Sequence, residues 1–226
     1  IVSEFGFCET YIENLELPYV DLNKDLFIDH KYYNLSYNES HEQANWVAYK
    51  LYSEYLIKHT DRTNNFRVDN KIVTGSAGLN DYKGSGYDRG HLLPAGDMVF
   101  DKTAMSETFL MSNVSPQLPS FNRGIWKKIE SQVRNWSVAY DSIYVITGPV
   151  LTDNLEIIGS SVSVPEFYYK VILSYSYPNY KAIAFILPNQ KSNMNIKTFT
   201  TTVDSVEKIT GIDFFYKFND ELENLI

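Results

Sequence analysis

The chain is 226 residues long, with 44% apolar and 21% charged side chains, a composition that suits a sizeable globular core and not a disordered chain. No apolar run reaches the roughly 18 residues that a helical membrane span needs, and the lone Cys8 excludes an internal disulfide or a thiolate zinc site. The net charge of −8 argues against a polyanionic partner unless the cations are gathered in one place.

They are unevenly spread. Arg62 and Arg67 precede a glycine-rich central segment and Arg123, Lys127, Lys128 and Arg134 follow it, while Asp and Glu crowd 9–29 and 213–223. The expected surface is a positive middle between acidic ends. The sequence opens on Ile1 and not on Met, which fits a removed leader and equally a trimmed chain.

In chain order, residues 1–29 carry no sustained period and read as an N-terminal segment packed on, or leading into, a single domain over 30–226. Within that segment 17–20 and 26–28 are each a short strand or a packed extended stretch. Residues 32–37 alternate as a strand and 46–52 return as another, with Val47, Tyr49 and Leu51 on one side. The pair forms an antiparallel hairpin across the long polar stretch 38–45. Its tyrosines and Trp46 suit sheet packing better than base stacking. From 61 to 86 the chain is polar and broken by glycines, a loop of functional or mobile length.

The central segment 86–98 reads as a strand or hairpin, and 101–111 as a short helix before Pro116 and Pro119. The strongest helix is 122–136, where Ile125, Trp126, Ile129, Val133 and Trp136 form one stripe, with Asn122 at its head and Glu130 and Arg134 along its edge. Strands follow at 143–147, 167–175 and 180–187, the last two joined by a Pro178-Asn179 turn. A helix over 198–210 closes on Gly211, and 214–216 ends the pattern as an extended segment. With no repeat or linker, this order predicts one α+β domain with a mainly antiparallel central sheet and flanking helices.

The chemistry is concentrated in Gly86-Tyr87-Asp88-Arg89-Gly90-His91-Leu92-Leu93-Pro94-Ala95-Gly96-Asp97. A neutral imidazole at His91 can take a proton from water near neutral pH. Arg89 shares its strand parity, and a planar cation suits a phosphate; the bland reading of Arg89 is a salt bridge with Asp88 or Asp97. Asn122 is either a helix N-cap or a neutral oxygen ligand of a hydrated Mg²⁺. Glu130 either holds metal-bound water or pairs with Arg134 at i+4. Asn113 orients a group at the site or caps a turn. His30, His41 and His59 lack such company and receive no role, and the Asn-x-Ser patterns at Asn34, Asn38, Asn113 and Asn135 are expected by chance.

Asp88-Arg89-Gly90-His91 resembles the DRGH signature of the DNA/RNA non-specific endonucleases, of the ββα-metal (His-Me finger) group. Further similarity continues through Asn113-Val-Ser-Pro-Gln117, Phe121-Asn122, Trp126, Glu130 and Arg134, and through 145–149, 165–171 and 207–211, so that it spans about 30 to 216. The resemblance implies a ββα-metal site and metal-dependent hydrolysis of DNA and RNA with little sequence preference. It makes His91 the general base and Asn122 the protein ligand of Mg²⁺, for which Mn²⁺ or another divalent cation would substitute. Glu130 would hold the cation's waters, Arg89 and Arg134 the phosphate, Asn113 would sit at the site, and Asp88 would stand behind the ligand. It leaves open a homodimer and a protein inhibitor, and a secreted or periplasmic location follows from the danger of an indiscriminate nuclease to its own cell. A nucleic-acid-binding module of the same fold without cleavage is the alternative reading.

Overall fold

Alternating apolar residues build a sheet that is covered on both faces. The computed structural model describes residues 14–21, 26–176 and 179–218; Cys8, Pro178 and most of the acidic ends lie outside them. The first strands are β1 (Leu26–Asp29), β2 (Asn34–Asn38) and β3 (Gln43–Tyr52). Residues 17–20 are not a strand, and the connection between β2 and β3 is only 39–42, because β3 extends back through Gln43 to pair with Asn38. A long irregular stretch, interrupted by the one-turn helix α1 (Leu79–Tyr82), leads to β4 (Asp88–His91). Then come α2 (Lys102–Glu107), β5 (Val114–Gln117), α3 (Lys127–Tyr140) and β6 (Ser142–Pro149). Asp101 caps α2 by accepting from the backbone N–H groups of Thr103 and Ala104.

Beyond β6 lies a small hairpin not foreseen from the sequence, β7 (Glu156–Ile158) with β8 (Val162–Val164), followed by β9 (Phe167–Ser176) and β10 (Asn179–Pro188). The two-residue β11 (Thr200–Thr201) precedes α4 (Val203–Thr210). The expected helix 198–210 therefore starts late: Thr200 and Thr201 pair with Phe185 and Ala184 at the sheet edge, and Thr202 caps α4. Gly211 takes a left-handed φ of +70° and stops that helix, as expected. Residues 214–216 form no strand; Phe214 and Phe215 are buried instead.

The main sheet is antiparallel with strand order β1-β2-β3-β6-β9-β10-β11. One face carries Val47, Tyr49, Leu51, Val145, Tyr168 and Ile172 against Ile125, Trp126, Ile129 and Val133. Each fully buried side chain of that stripe contributes roughly 1.5–3 kcal/mol, so α3 is fixed against the sheet by packing. The opposite face places Trp46, Ala48, Ile146 and Val171 against Val203 and Val206 of α4 and Phe214. The α+β expectation stands, and Tyr33, Tyr37, Trp46 and Tyr49 are core residues, not a stacking surface. Among the described residues, no helix is long and apolar enough to cross a membrane.

Candidate active site

The β4 and β5 strands lie antiparallel, His91 opposite Val114 and Asp88 opposite Gln117, and the chain then runs into α3. This is a β-β-α unit laid on the α3 side of the main sheet. Gly86, with φ +86°, makes the turn into it. Gly90 is required for a different reason: a Cβ there would stand 2.2 Å from the buried Gln117 side chain. Asn113 turns away from solvent. Its Oδ1 accepts from the Leu93 N–H at 2.8 Å, and its Nδ2 donates to the carbonyls of Leu93 (3.0 Å) and Thr108 (2.9 Å). The Asn113 amide is thus spent on the backbone of Leu93, two residues after His91, and of Thr108.

His91 stands edge-on to Phe109 and tilted against Phe66, with ring centres 4.9 and 5.3 Å away. Burial, reinforced by the guanidiniums of Arg62 and Arg89, lowers its pKa to about 3 against the opposing effect of a hydrogen bond to the Arg89 backbone. The imidazole is therefore neutral at physiological pH. Its Nε2 is buried and has no partner, so the bond to the backbone belongs to Nδ1 and the free lone pair to Nε2.

The helix that carries Asn122 does not start as the apolar stripe suggests. Residues Phe121–Trp126 form a wide π-type turn, with Gly124 outside helical geometry (φ −105°, ψ −109°), before regular α3 begins. Asn122 lies within this wide turn, ahead of regular α3, and is not its N-cap. Its Nδ2 donates to Asp88 Oδ2 at 2.9 Å. Arg123 closes on the same carboxylate, Nε to Oδ2 at 2.8 Å and Nη2 to Oδ1 at 2.6 Å. Burial pushes the Asp88 carboxyl up, but these donors prevail and hold it below its usual range. With Nδ2 committed, Asn122 Oδ1 is directed elsewhere and accepts no hydrogen bond among the described residues.

Arg89, His91, Asn122, Glu130 and Arg134 line one cleft of about 460 Å³, together with Arg62, Arg123 and Lys127. Five cations thus face one carboxylate, in a protein whose net charge is −8. Asp88 lines an adjoining cleft of about 570 Å³ that shares Arg62, Arg89, Asn122 and Arg123 with the first. Neither bland pairing occurs. Arg89 lies over the Phe66 ring at 4.2 Å and forms no ion pair among the described residues. Arg134 bonds not Glu130 but the buried Asp97, at 2.7 Å, and Asp97 also accepts from the Tyr49 hydroxyl at 2.9 Å. Glu130 is half-buried and unpaired; burial raises its carboxyl pKa, against the pull of Lys170.

Arg62 was not legible as a site residue. It reaches the cleft from the long loop, which is tied down by Arg67 N–H to Phe109 carbonyl, Met111 N–H to Arg67 carbonyl, and Thr60 N–H to Val99 carbonyl. Arg123 and Lys127 were visible only as part of the basic run after the motif. A histidine–carboxylate contact away from the clefts, His30 Nε2 to Asp69 Oδ2 at 2.9 Å with Ser112 on the same oxygen, is buried. It fastens the long loop to the core.

The donor set fits a hard, largely hydrated divalent cation: a neutral amide oxygen at Asn122 and an unpaired carboxylate at Glu130 in one cleft. An all-protein cage does not arise, since no group of three His, Cys, Asp or Glu is placed to hold a metal among the described residues.

Comparison with known proteins agrees with this geometry. The sequence model of the DNA/RNA non-specific endonuclease family matches residues 17–221. Nuclease C1 of Cunninghamella echinulata var. echinulata is 35% identical over 211 residues, covering 85% of this chain and 84% of that protein. Human mitochondrial endonuclease G is 32% identical over 198 residues, covering 80% and 67%. Among solved structures, one described as the EndoG/EndoGI complex, on the mechanism of EndoG inhibition, aligns with a TM-score of 0.80 at 33% identity, covering 86% of this chain and 87% of that one. The chain belongs to the DNA/RNA non-specific endonuclease family.

Proposed function

We propose that the chain is a Mg²⁺-dependent endonuclease that hydrolyses phosphodiesters of DNA and RNA with little sequence preference. The observation that carries this reading is one cationic cleft shared by an unpartnered base nitrogen, His91 Nε2, and an uncommitted amide oxygen, Asn122 Oδ1. Arg89 and Arg134 seat the scissile phosphate; contacts of this kind read backbone and not bases, hence the indifference to sequence. His91 Nε2 takes the proton of the attacking water, its tautomer fixed by the bond from Nδ1 to the Arg89 backbone. A phosphate in the cleft offsets the fields of Arg62 and Arg89, so the imidazole becomes more basic as substrate seats.

Asp88 holds the Asn122 amide so that its oxygen faces the cation, and Glu130 accepts hydrogen bonds from surrounding water. When bound, Mg²⁺, or Mn²⁺ in its place, supplies charge that stabilises the departing oxygen. Nicking of supercoiled plasmid and breakdown of total RNA, with Mg²⁺ and with EDTA, test the proposal. Wild type cuts both only with the metal, and His91→Ala loses about 10²–10⁴-fold. Metal-independent cleavage, or full activity in the variant, refutes it; binding without cleavage across several divalent metals favours a binding module.

The same reading places the enzyme outside the compartment that holds its cell's own nucleic acid, as a secreted or periplasmic protein, on the ground that an unselective nuclease is hazardous; fractionation tests this. A protein inhibitor of acidic surface suits the cationic cleft, and a homodimer is the assembly the family resemblance suggests, with sedimentation as its test.

A further inference from the structure

The cleft of about 570 Å³ shares Arg62, Arg89, Asn122 and Arg123 with the cleft that holds His91, so a strand seated in one continues over the other. Its remaining wall differs in kind. Leu79, Asn80, Tyr82 and Lys83 come from α1 and the residue after it, and Tyr87 from the approach to β4. Leu79 is 46% exposed and Tyr87 half-buried. Tyr82 is buried, and its hydroxyl has no hydrogen-bond partner among the described residues, where buried polar groups ordinarily have one. Apolar and aromatic faces do nothing for a phosphate. They suit a flat ring, and the volume lies within the range of about 300–1,000 Å³ that small-molecule pockets span.

This wall is held in place from outside, as a one-turn helix must be. The β7–β8 hairpin supplies the support. Asp81 accepts from the N–H groups of Gly78 at 2.8 Å and of Ser160 at 3.0 Å. Gly159, at φ +57°, comes so close that a Cβ there would stand 2.4 Å from the Asp81 Cα. Tyr82 packs with Ile158, Val162 and Val164, and the Tyr87 hydroxyl donates to Glu156 Oε2 at 3.2 Å. Around the same cleft stand Arg62, Lys83, Arg89 and Arg123, against the single carboxylate of Asp88, which Asn122 and Arg123 already engage. A ring-binding wall facing four cations fits a nucleotide. We propose that this cleft seats the base of the nucleotide next to the scissile phosphate, laid on Tyr87 and Leu79. A base within a duplex is stacked on both faces and paired along its edge, and enters such a pocket only when extruded. Single strands and frayed ends therefore gain a contact that paired ones lack.

The inference rests on the nuclease reading for where the scissile phosphate lies, so binding is measured apart from cleavage, in EDTA. The probes are a fluorescent oligothymidylate, an abasic strand of the same length and charge, and a blunt duplex. Wild type holds the oligothymidylate tighter than the abasic strand by about 5–150-fold, the worth of one base stacked on an aromatic side chain. Tyr87→Ala removes most of that difference, and Leu79→Ala, at an exposed position that leaves the fold intact, removes part of it. Neither changes the affinity for the abasic strand or the duplex, and Tyr87→Phe, which keeps the ring, stays near wild type. With Mg²⁺ present, the ratio of kcat/KM on single strand to that on duplex falls by the same factor in the Ala variants. A wild type that holds base-bearing and abasic strands alike overturns the proposal. So do folded Ala variants whose affinities for all three probes fall together or not at all. A wild type that discriminates between the strands but cuts neither rejects the nuclease reading alone; one that cuts without discriminating rejects the base site alone.

Discussion

Asp88→Ala tests how the cleft aims the Asn122 oxygen. The carboxylate is mostly buried, at 16% exposure, and takes three hydrogen bonds, one from Asn122 and two from Arg123. Arg123 is 73% exposed, so its pair with Asp88 adds little to stability and serves chiefly to steady the carboxylate. The bond from the Asn122 amide to a charged acceptor is worth about 1.5–3 kcal/mol. If that energy holds Oδ1 toward the cation, its loss weakens the apparent Mg²⁺ affinity by about 10–100-fold, the range typical of residues that orient a metal ligand. Plasmid cleavage is measured against Mg²⁺ concentration. Asp88→Ala needs 10–100-fold more Mg²⁺ for half-maximal rate, according to the same estimate, and recovers most of kcat at saturation. Arg123→Ala shifts the curve in the same direction by less. An unchanged Mg²⁺ requirement in Asp88→Ala, or a loss that excess Mg²⁺ does not restore, refutes the orienting role.

Other outcomes follow from the same geometry. The folded chain withholds a proton from His91 between its ordinary pKa of 6.5 and about 3, so His91 contributes full stability above pH 6.5 and progressively less as the pH falls. The slope approaches 1.4 kcal/mol per pH unit, and roughly 5 kcal/mol is at stake across the window; urea melts of His91→Gln against wild type at pH 7 and 5 should show the difference shrink. Gly90→Ala drives a methyl into Gln117 and should cost about 1–3 kcal/mol, relieved by a second change, Gln117→Ala; an unchanged midpoint would contradict the close approach. Asn113→Ala strips the Leu93 N–H and two carbonyls of their partners. Denaturant melts should register about 1–3 kcal/mol for each group left unsatisfied, with the Mg²⁺ requirement unaltered.

The residues that act within a short stretch were legible because their spacing alone places them. Arg89 and His91 share a strand, and Ile125, Ile129 and Val133 mark the face of α3 that the sheet must cover. What the spacing hid was backbone irregularity. The helical stripe runs unbroken through Asn122 to Trp136, yet Gly124 leaves helical geometry and sets Asn122 in a wide turn ahead of regular α3. Thr200 and Thr201 look helical until a sheet edge at Phe185 offers them partners. The backbone partners of the Asn113 amide, at Leu93 and Thr108, are brought near only by the folded loop. Buried charge is least readable of all: Asp97 and Arg134 lie 37 residues apart, and nothing local says that they pair.

The central claim is that Asn122 holds the cation next to His91. Crystals grown with Mn²⁺ and measured for anomalous scattering test it most directly. The account predicts a peak about 2.1–2.2 Å from Asn122 Oδ1, within the cleft lined by His91 and Glu130, with water completing an octahedron. A cation bound elsewhere in an enzyme that still cleaves, with Asn122 out of reach, would contradict it.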